Sequence, residues 1–421
     1  MKKVKVGVMG ARRGGSMIDY CKTAENAEVV AICDKAQYLL DDQKKKAGDL
    51  PIAYYTDFEE FIKHDMDAVV LANYANEHAP FAIRCLNAGK HVFSEVLPAQ
   101  TMKEAVELIE AVERSGLVYA YGENYCYMTA NREMKRLYEE GKIGEFEYGE
   151  GEYIHNCESI WPEITYGERD HWRNNMFSSF YCTHSLGPII HMTGLRPVSV
   201  VAFEGTKNER NLRMGCMAGS FAVEMVTLEN GGIVKSIHGG LYNNSIWYSV
   251  FGSKGHMESA REASRNGNMN RIFIQYDEKS GDYANLPVES YDPRENASQD
   301  VSRFGHGGSD FFSMYYFIEK ILGDETADTI DVYQAMDMYL PGLLGYRSIL
   351  NGSTPVEIPD LREKAERDKW RNDTACTFKA AAGDMLLPTS KNGTPDIPDS
   401  VYEAVAAKWE VKKKEIEKTT T

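Results

Sequence analysis

The chain has 421 residues, of which 43% are hydrophobic and 26% charged, and a formal net charge of −16 at pH 7. That length is too great for one ordinary core and suits two domains, or one α/β domain carrying a large second layer. The acidic balance argues against a nucleic-acid partner, and no apolar run is long enough to span a bilayer.

The opening "MKKVKVGVMG" has neither a small-residue cleavage site nor a signal-length apolar core, and reads as a first β-strand. Eight cysteines are scattered without a C-x-x-C pair, which points to free thiols in a reducing, cytoplasmic compartment. Residues 3–9 run into the turn "GARRGG", a helical segment follows at 16–26, and a second strand, "AEVVAICD", ends on Asp34. A glycine turn between strand and helix aims backbone N–H groups at a pyrophosphate, while an acid ending the second strand takes the ribose hydroxyls. Gly10 and Gly15 match G-x-G-x-x-G, but Arg12 holds the middle position, so its side chain either points away or pairs with phosphate. The alternation continues: helix 56–64, strand 67–73, helix 77–89, strand 90–96, helix 101–116, strand 118–124. It predicts a doubly wound parallel sheet over residues 1–122. The expected cofactor residues are Gly10, Arg12, Arg13, Gly14 and Asp34 around the turn, with Asn73, His78, Glu95 and Asn124 at or beyond later strand ends.

Residues 67–96, "DAVVLANYANEHAPFAIRCLNAGKHVFSEV", resemble the Gfo/Idh/MocA oxidoreductase family. There a His after the fourth strand and an "aGkhV-x-x-EKP" segment line the nicotinamide pocket, and His78, Gly89, Lys90, His91, Val92 and Glu95 match. The resemblance implies NAD as cofactor. It departs at one point: the family's catalytic Lys is absent, since Val96 and Leu97 precede Pro98. Further segments resemble the branch of NAD-dependent glycosidases typified by α-N-acetylgalactosaminidase: "GEGEYIHN" (149–156), "YCTHSLGP" (181–188), "FGHGGSDF" (304–311) and "STPVEIPD" (353–360).

That branch implies oxidation of a sugar hydroxyl, elimination of the aglycone, water addition and re-reduction, an exception to two-carboxylate hydrolysis. By resemblance Tyr153 is the carbon-acid base, and a phenol's pKa suits that proton. Tyr181 and His184 lie three apart, so on a first helical turn both face one side. His184 is expected on a sugar hydroxyl, and Glu123, after the last parallel strand, on substrate hydroxyls or acid/base work. His155, Trp172 and His306 are expected substrate contacts. For His306 and its glycines an equal reading is a helix start capped by Ser309 or Asp310. His191 reads as core. A zinc site from His155, His184 and His191 has no H-E-x-x-H spacing behind it, so no metal is expected.

The predicted architecture is a Rossmann unit (1–122), an α/β unit with a large, mostly antiparallel sheet (123–360), and a C-terminal extension (361–421) packed on the body, its tail "KKKEIEKTTT" frayed. Resemblance also implies a homo-oligomer. A sugar dehydrogenase that releases a keto-sugar and a nucleotide-sensing regulator are the competing functions.

Overall fold

Strands buried on both faces by flanking helices read as unbroken apolar runs, and "AVVL" at 68–71 is fully buried. In the computed structural model, which describes residues 3–261, 270–277, 288–293 and 300–420, this strand and five others form one parallel sheet. They are β1 (Val4–Met9), β2 (Ala27–Cys33), β3 (Ala53–Tyr55), β4 (Ala68–Leu71), β5 (His91–Glu95) and β6 (Tyr119–Gly122). The order is 3-2-1-4-5-6, the dinucleotide-binding arrangement. The helix Met102–Ser115 illustrates the local logic. Thr101 caps the Glu104 amide, Glu104 reaches back to the Gln100 amide, and Gly116 ends the helix at φ 62. A helix at Gln37–Ala47, which the sequence reading passed over, connects β2 to β3.

The second sheet contains β7 (Phe146–Ile154), β8 (Pro197–Glu204), β9 (Phe221–Leu228), β10 (Ile233–Gly239), β11 (Ser245–Gly252), β12 (Gly255–Ser259), β13 (Ile272–Tyr276), β14 (Val288–Tyr291) and β15 (Val356–Glu357). Their order is 14-13-12-11-7-10-9-8-15, with β7 and β10 parallel and the other neighbours antiparallel. The strict alternation of burial along β9 marks one face as core. Helices Cys182–Thr193 and Val332–Leu350 cover that face. Close approach of the first helix depends on Gly151 of β7, where a Cβ would lie 1.7 Å from the Ser185 carbonyl oxygen.

The tail departs from expectation, because the helix Asp399–Thr420 carries through it. Val405 and Trp409 bury against the body and give the polar tail a helix to continue. Thr421 lies outside the described residues.

Glu224 of β9 is fully buried under Val332–Leu350, and neither carboxyl oxygen has a hydrogen-bond partner. Burial raises its pKa well above the ordinary 4.5, so the folded state holds it protonated. A carboxyl raised on folding contributes stability below its unfolded pKa that is lost as pH climbs toward the folded value. Glu224→Gln stays neutral throughout. Its stability should therefore gain on the wild type as pH rises above 4.5, by up to about 1.4 kcal/mol per pH unit within the window, read as a widening gap in Tm. Parallel Tm profiles of the two proteins would contradict a protonated Glu224.

Candidate active site and cofactor cleft

The C-terminal ends of β1, β2 and β4–β6 open onto the same space as the ends of the parallel strands β7 and β10. Between them lies a cavity of about 980 Å³. At one end is the glycine turn. Gly10 sits at φ +96, and a Cβ there would meet the Ala72 carbonyl oxygen at 2.3 Å, so only glycine lets β1 and β4 meet at this point. The Gly14 amide bonds the Gly10 carbonyl at 2.9 Å. Asp34 accepts the amides of Ala11 and Ala36, each at 2.8 Å. Burial raises its pKa against those two bonds and Lys35. Lys35 itself lies over the Tyr74 ring at 3.9 Å.

Arg12, in the place of the middle glycine, reaches across the cleft to the Glu163 carbonyl (2.8 Å) and carboxylate (2.5 Å). Arg13 is bidentate on Asp310 (2.8 and 3.0 Å) and also bonds Glu95 (2.7 Å). Asp310 further accepts from Asn124 (3.0 Å) and lies 3.2 Å from His306 Nδ1. Desolvation alone would raise the Asp310 pKa, but Arg13 and His306 hold it far below the usual carboxylate range. Burial pushes Glu95 upward despite Arg13.

The expected side-chain cap at this helix start is absent. The helix Ser309–Ile321 begins after Gly308 without one, because the Asp310 carboxylate is committed to Arg13, Asn124 and His306. His306 stands exposed at the cavity wall with φ 56, between Gly305 and Gly307.

Several buried polar atoms in this wall lack partners within the chain: Asn73 Oδ1, Tyr74 Oη, His78 Nε2 and Asn124 Oδ1. His78 Nδ1 donates to the Leu97 carbonyl (2.9 Å), and burial lowers its pKa to about 4, which leaves a neutral imidazole with Nε2 free to accept. Orphaned buried polar groups are rare unless a ligand satisfies them. Together with the glycine cradle and Asp34 they fit a dinucleotide. Val96 lines the cavity where the resemblance places a catalytic lysine, so no amine stands there.

At the other end, β7 and β10 set Tyr153 and His238 side by side in register. The Tyr153 hydroxyl lies 2.9 Å from His155 Nδ1. Burial raises the Tyr153 pKa well above 10.0, and desolvation, with help from His184, Arg173 and His306, lowers that of His155 below 6.5. The ring of His184 packs 4.5 Å from Tyr153 and 4.6 Å from Tyr125, and stacks on Tyr181 at 5.6 Å. Tyr181 Oη accepts from Arg173 at 2.9 Å. The Trp172 indole N–H and the His238 Nε2 are buried and unpartnered, and both residues line the cavity.

Glu123 departs from its expected place. It does not line the cavity. Its carboxylate is fully buried and accepts from Thr183 Oγ1 and His184 Nδ1, each at 2.8 Å, and from the Tyr125 amide at 3.3 Å. With both oxygens taken, it fixes the tautomer and tilt of His184 and leaves Nε2 facing the cavity. His191 is core, bonded to Gln334 (2.8 Å) and Asp328 (3.1 Å). No cluster of three or more His, Cys, Asp or Glu able to hold a metal occurs among the described residues.

Sequence reading missed Tyr125, Arg173, Glu163 and His238. Tyr125 lies two residues after Glu123 and was open to notice, whereas the others come together only through non-local packing. The geometry around Asp34 predicts that NAD⁺ binds at least about tenfold tighter than NADP⁺. Asp34→Ala should narrow the gap in a titration of both cofactors, and equal or tighter NADP⁺ binding to the wild type would contradict it.

Residues 4–123 match the NAD-binding Rossmann fold of the Gfo/Idh/MocA oxidoreductase family. Residues 132–372 match the C-terminal domain of glycosyl hydrolase 109. A glycosyl hydrolase family 109 protein of Solibacter usitatus is 27% identical over 408 residues, covering 87% of this chain and 89% of the relative. One from Bacteroides thetaiotaomicron is 25% identical over 398 residues, covering 86% and 85%. Among solved structures, an Agrobacterium radiobacter oxidoreductase in complex with NAD⁺ has a TM-score of 0.68 at 15% identity, covering 85% of this chain and 98% of its own. The scyllo-inositol dehydrogenase of Lactobacillus casei with bound NAD(H) has 0.64 at 18%, covering 86% and 100%. At those identities the structures speak for the fold alone. The chain belongs to glycosyl hydrolase family 109 and is an NAD-dependent glycosidase on a Gfo/Idh/MocA framework.

Proposed function

We propose that the enzyme cleaves a glycoside by transient oxidation of a sugar hydroxyl, elimination of the aglycone, addition of water and re-reduction. The observation that carries this reading is the Tyr153–His155 pair standing beside a Glu123-locked His184, with Val96 where a lysine would serve plain dehydrogenation. When bound, NAD supplies a hydride acceptor that gives the hydride back before product leaves. Gly10, Gly14 and Asp34 would hold it, with Asn73, His78 and Asn124 offering their unpartnered atoms and Arg12, Arg13 and Glu95 ordering the wall.

His184 Nε2 accepts the proton of the hydroxyl being oxidised, since Glu123 keeps the other nitrogen protonated. The resulting ketone acidifies the neighbouring C–H. Tyr153 takes that proton as its own passes to the neutral Nδ1 of His155. A phenol raised by burial stays protonated and needs such an acceptor. The electron pair left on carbon expels the aglycone, and Tyr181, polarised by Arg173, assists its departure. Trp172 and His306 are proposed substrate contacts.

We assign residues 1–122 to cofactor binding, 123–360 to substrate binding, and 361–421 to an extension over the body. A cytoplasmic homo-oligomer is part of the same proposal. Exposed Phe203, Ile233 and Phe251 on the outer face of the second sheet support the subunit contact.

Three measurements test the reading. With substoichiometric NAD⁺, aglycone release should continue over many turnovers while reduced cofactor does not build up. Stoichiometric reduced cofactor with a keto-glycoside product would instead establish the dehydrogenase. Tyr153→Phe should lower kcat by about 10²-fold or more with NAD⁺ affinity unchanged, and near wild-type turnover would remove Tyr153 from the mechanism. Since His155 must be neutral to accept the proton, and burial lowers its pKa, the acid limb of kcat should lie below pH 6.5. His155→Gln should abolish that limb, and a limb unmoved by the substitution would refute the relay.

A further inference from the structure

The helix Asp399–Thr420 lies beyond both family-matched regions, yet it forms part of the cofactor cavity. Trp409 and Lys413 are one helical turn apart and face the same side. Both line the same cavity as Asp34 and Tyr38, and Tyr38 lies four residues past the acid expected to take the ribose. Trp409 is only 6% exposed, with its ring 5.1 Å from Tyr166 and 6.5 Å from Tyr38. The Lys413 ammonium lies 5.7 Å from the centre of the Tyr38 ring.

Two features hold the helix in place. Val405 packs in a cluster with Trp161, Met214 and Cys216. Glu163 accepts both Lys412 of this helix and Arg12 of the glycine turn, so one carboxylate ties the helix to the turn expected to face the pyrophosphate.

We infer that Trp409 and Lys413 are cofactor-binding residues, and that the C-terminal helix retains NAD by closing the adenosine end of the cleft. Trp409 supplies an aromatic wall for the adenosine moiety, and Lys413 a cation for a ligand bearing two phosphate charges. The inference rests on the redox-neutral reading above, in which the cofactor has no need to leave between turnovers.

The test uses the full-length protein and NAD⁺ itself. Release of NAD⁺ is followed after dilution into excess competing nucleotide, and Kd by titration, for wild type, Trp409→Ala and Lys413→Glu. Trp409→Ala should release NAD⁺ about tenfold faster or more, and Lys413→Glu should raise Kd about tenfold with a weakened salt dependence. Wild-type release and Kd in a folded Trp409→Ala variant would overturn the inference. Should that variant fail to fold, the partly exposed Lys413→Glu decides, and an unchanged Kd overturns it. If retention is unaffected while reduced cofactor still fails to build up, the inference fails alone. If reduced cofactor accumulates with retention lost as expected, the glycosidase reading fails instead.

Discussion

The buried contact between Glu123 and the start of the helix Cys182–Thr193 is the constraint on which the site depends. A carboxylate out of water is tolerated only when its oxygens are bonded, and this one takes Thr183, His184 and a backbone amide. Leaving such a buried acceptor unsatisfied costs about 1–3 kcal/mol or more, so the helix is held in one place at the end of β6. The Tyr248 hydroxyl bonds the His184 carbonyl at 2.5 Å from the opposite side. His184 is thereby a fixed point shared by the parallel sheet and the antiparallel one. Tyr153, Tyr125 and Tyr181 pack on it in turn.

A second set of charges does for the cofactor end what Glu123 does for the sugar end. Arg13 bridges Glu95 on β5 and Asp310 at the head of the helix Ser309–Ile321, and Asp310 carries Asn124 and His306 with it. The wall so built contains buried atoms that nothing in the chain satisfies, such as His78 Nε2 and Asn124 Oδ1. Folding leaves these groups for ligands to satisfy. A site preorganised in this way can bind the developing charges of oxidation and elimination without rearranging around them.

The sequence disclosed local features far better than non-local ones. The Rossmann strands were legible because their apolar runs alternate with amphipathic helices, and Asp34 because it ends the second run after a glycine turn. Tyr153, Tyr181 and His184 were legible through short motifs. Glu123 was noticed but given the wrong neighbour: nothing local reveals that its carboxylate turns inward to Thr183 and His184. His238, in an ordinary alternating strand, becomes notable only because β10 runs parallel to β7. The pairing of Arg12 with Glu163, 151 positions away, had no local signal. The tail "KKKEIEKTTT" reads as solvated when taken alone, and is helical as far as Thr420 because Val405 and Trp409 anchor the segment before it.

The central claim is that the aglycone leaves by elimination from a transient ketone rather than by displacement at the anomeric carbon. The most direct measurement is the isotopic content of sugar released in D₂O. The carbon next to the oxidised one must lose its proton to Tyr153 and regain one, so the account predicts one deuterium at that carbon. Released sugar without deuterium there would contradict it.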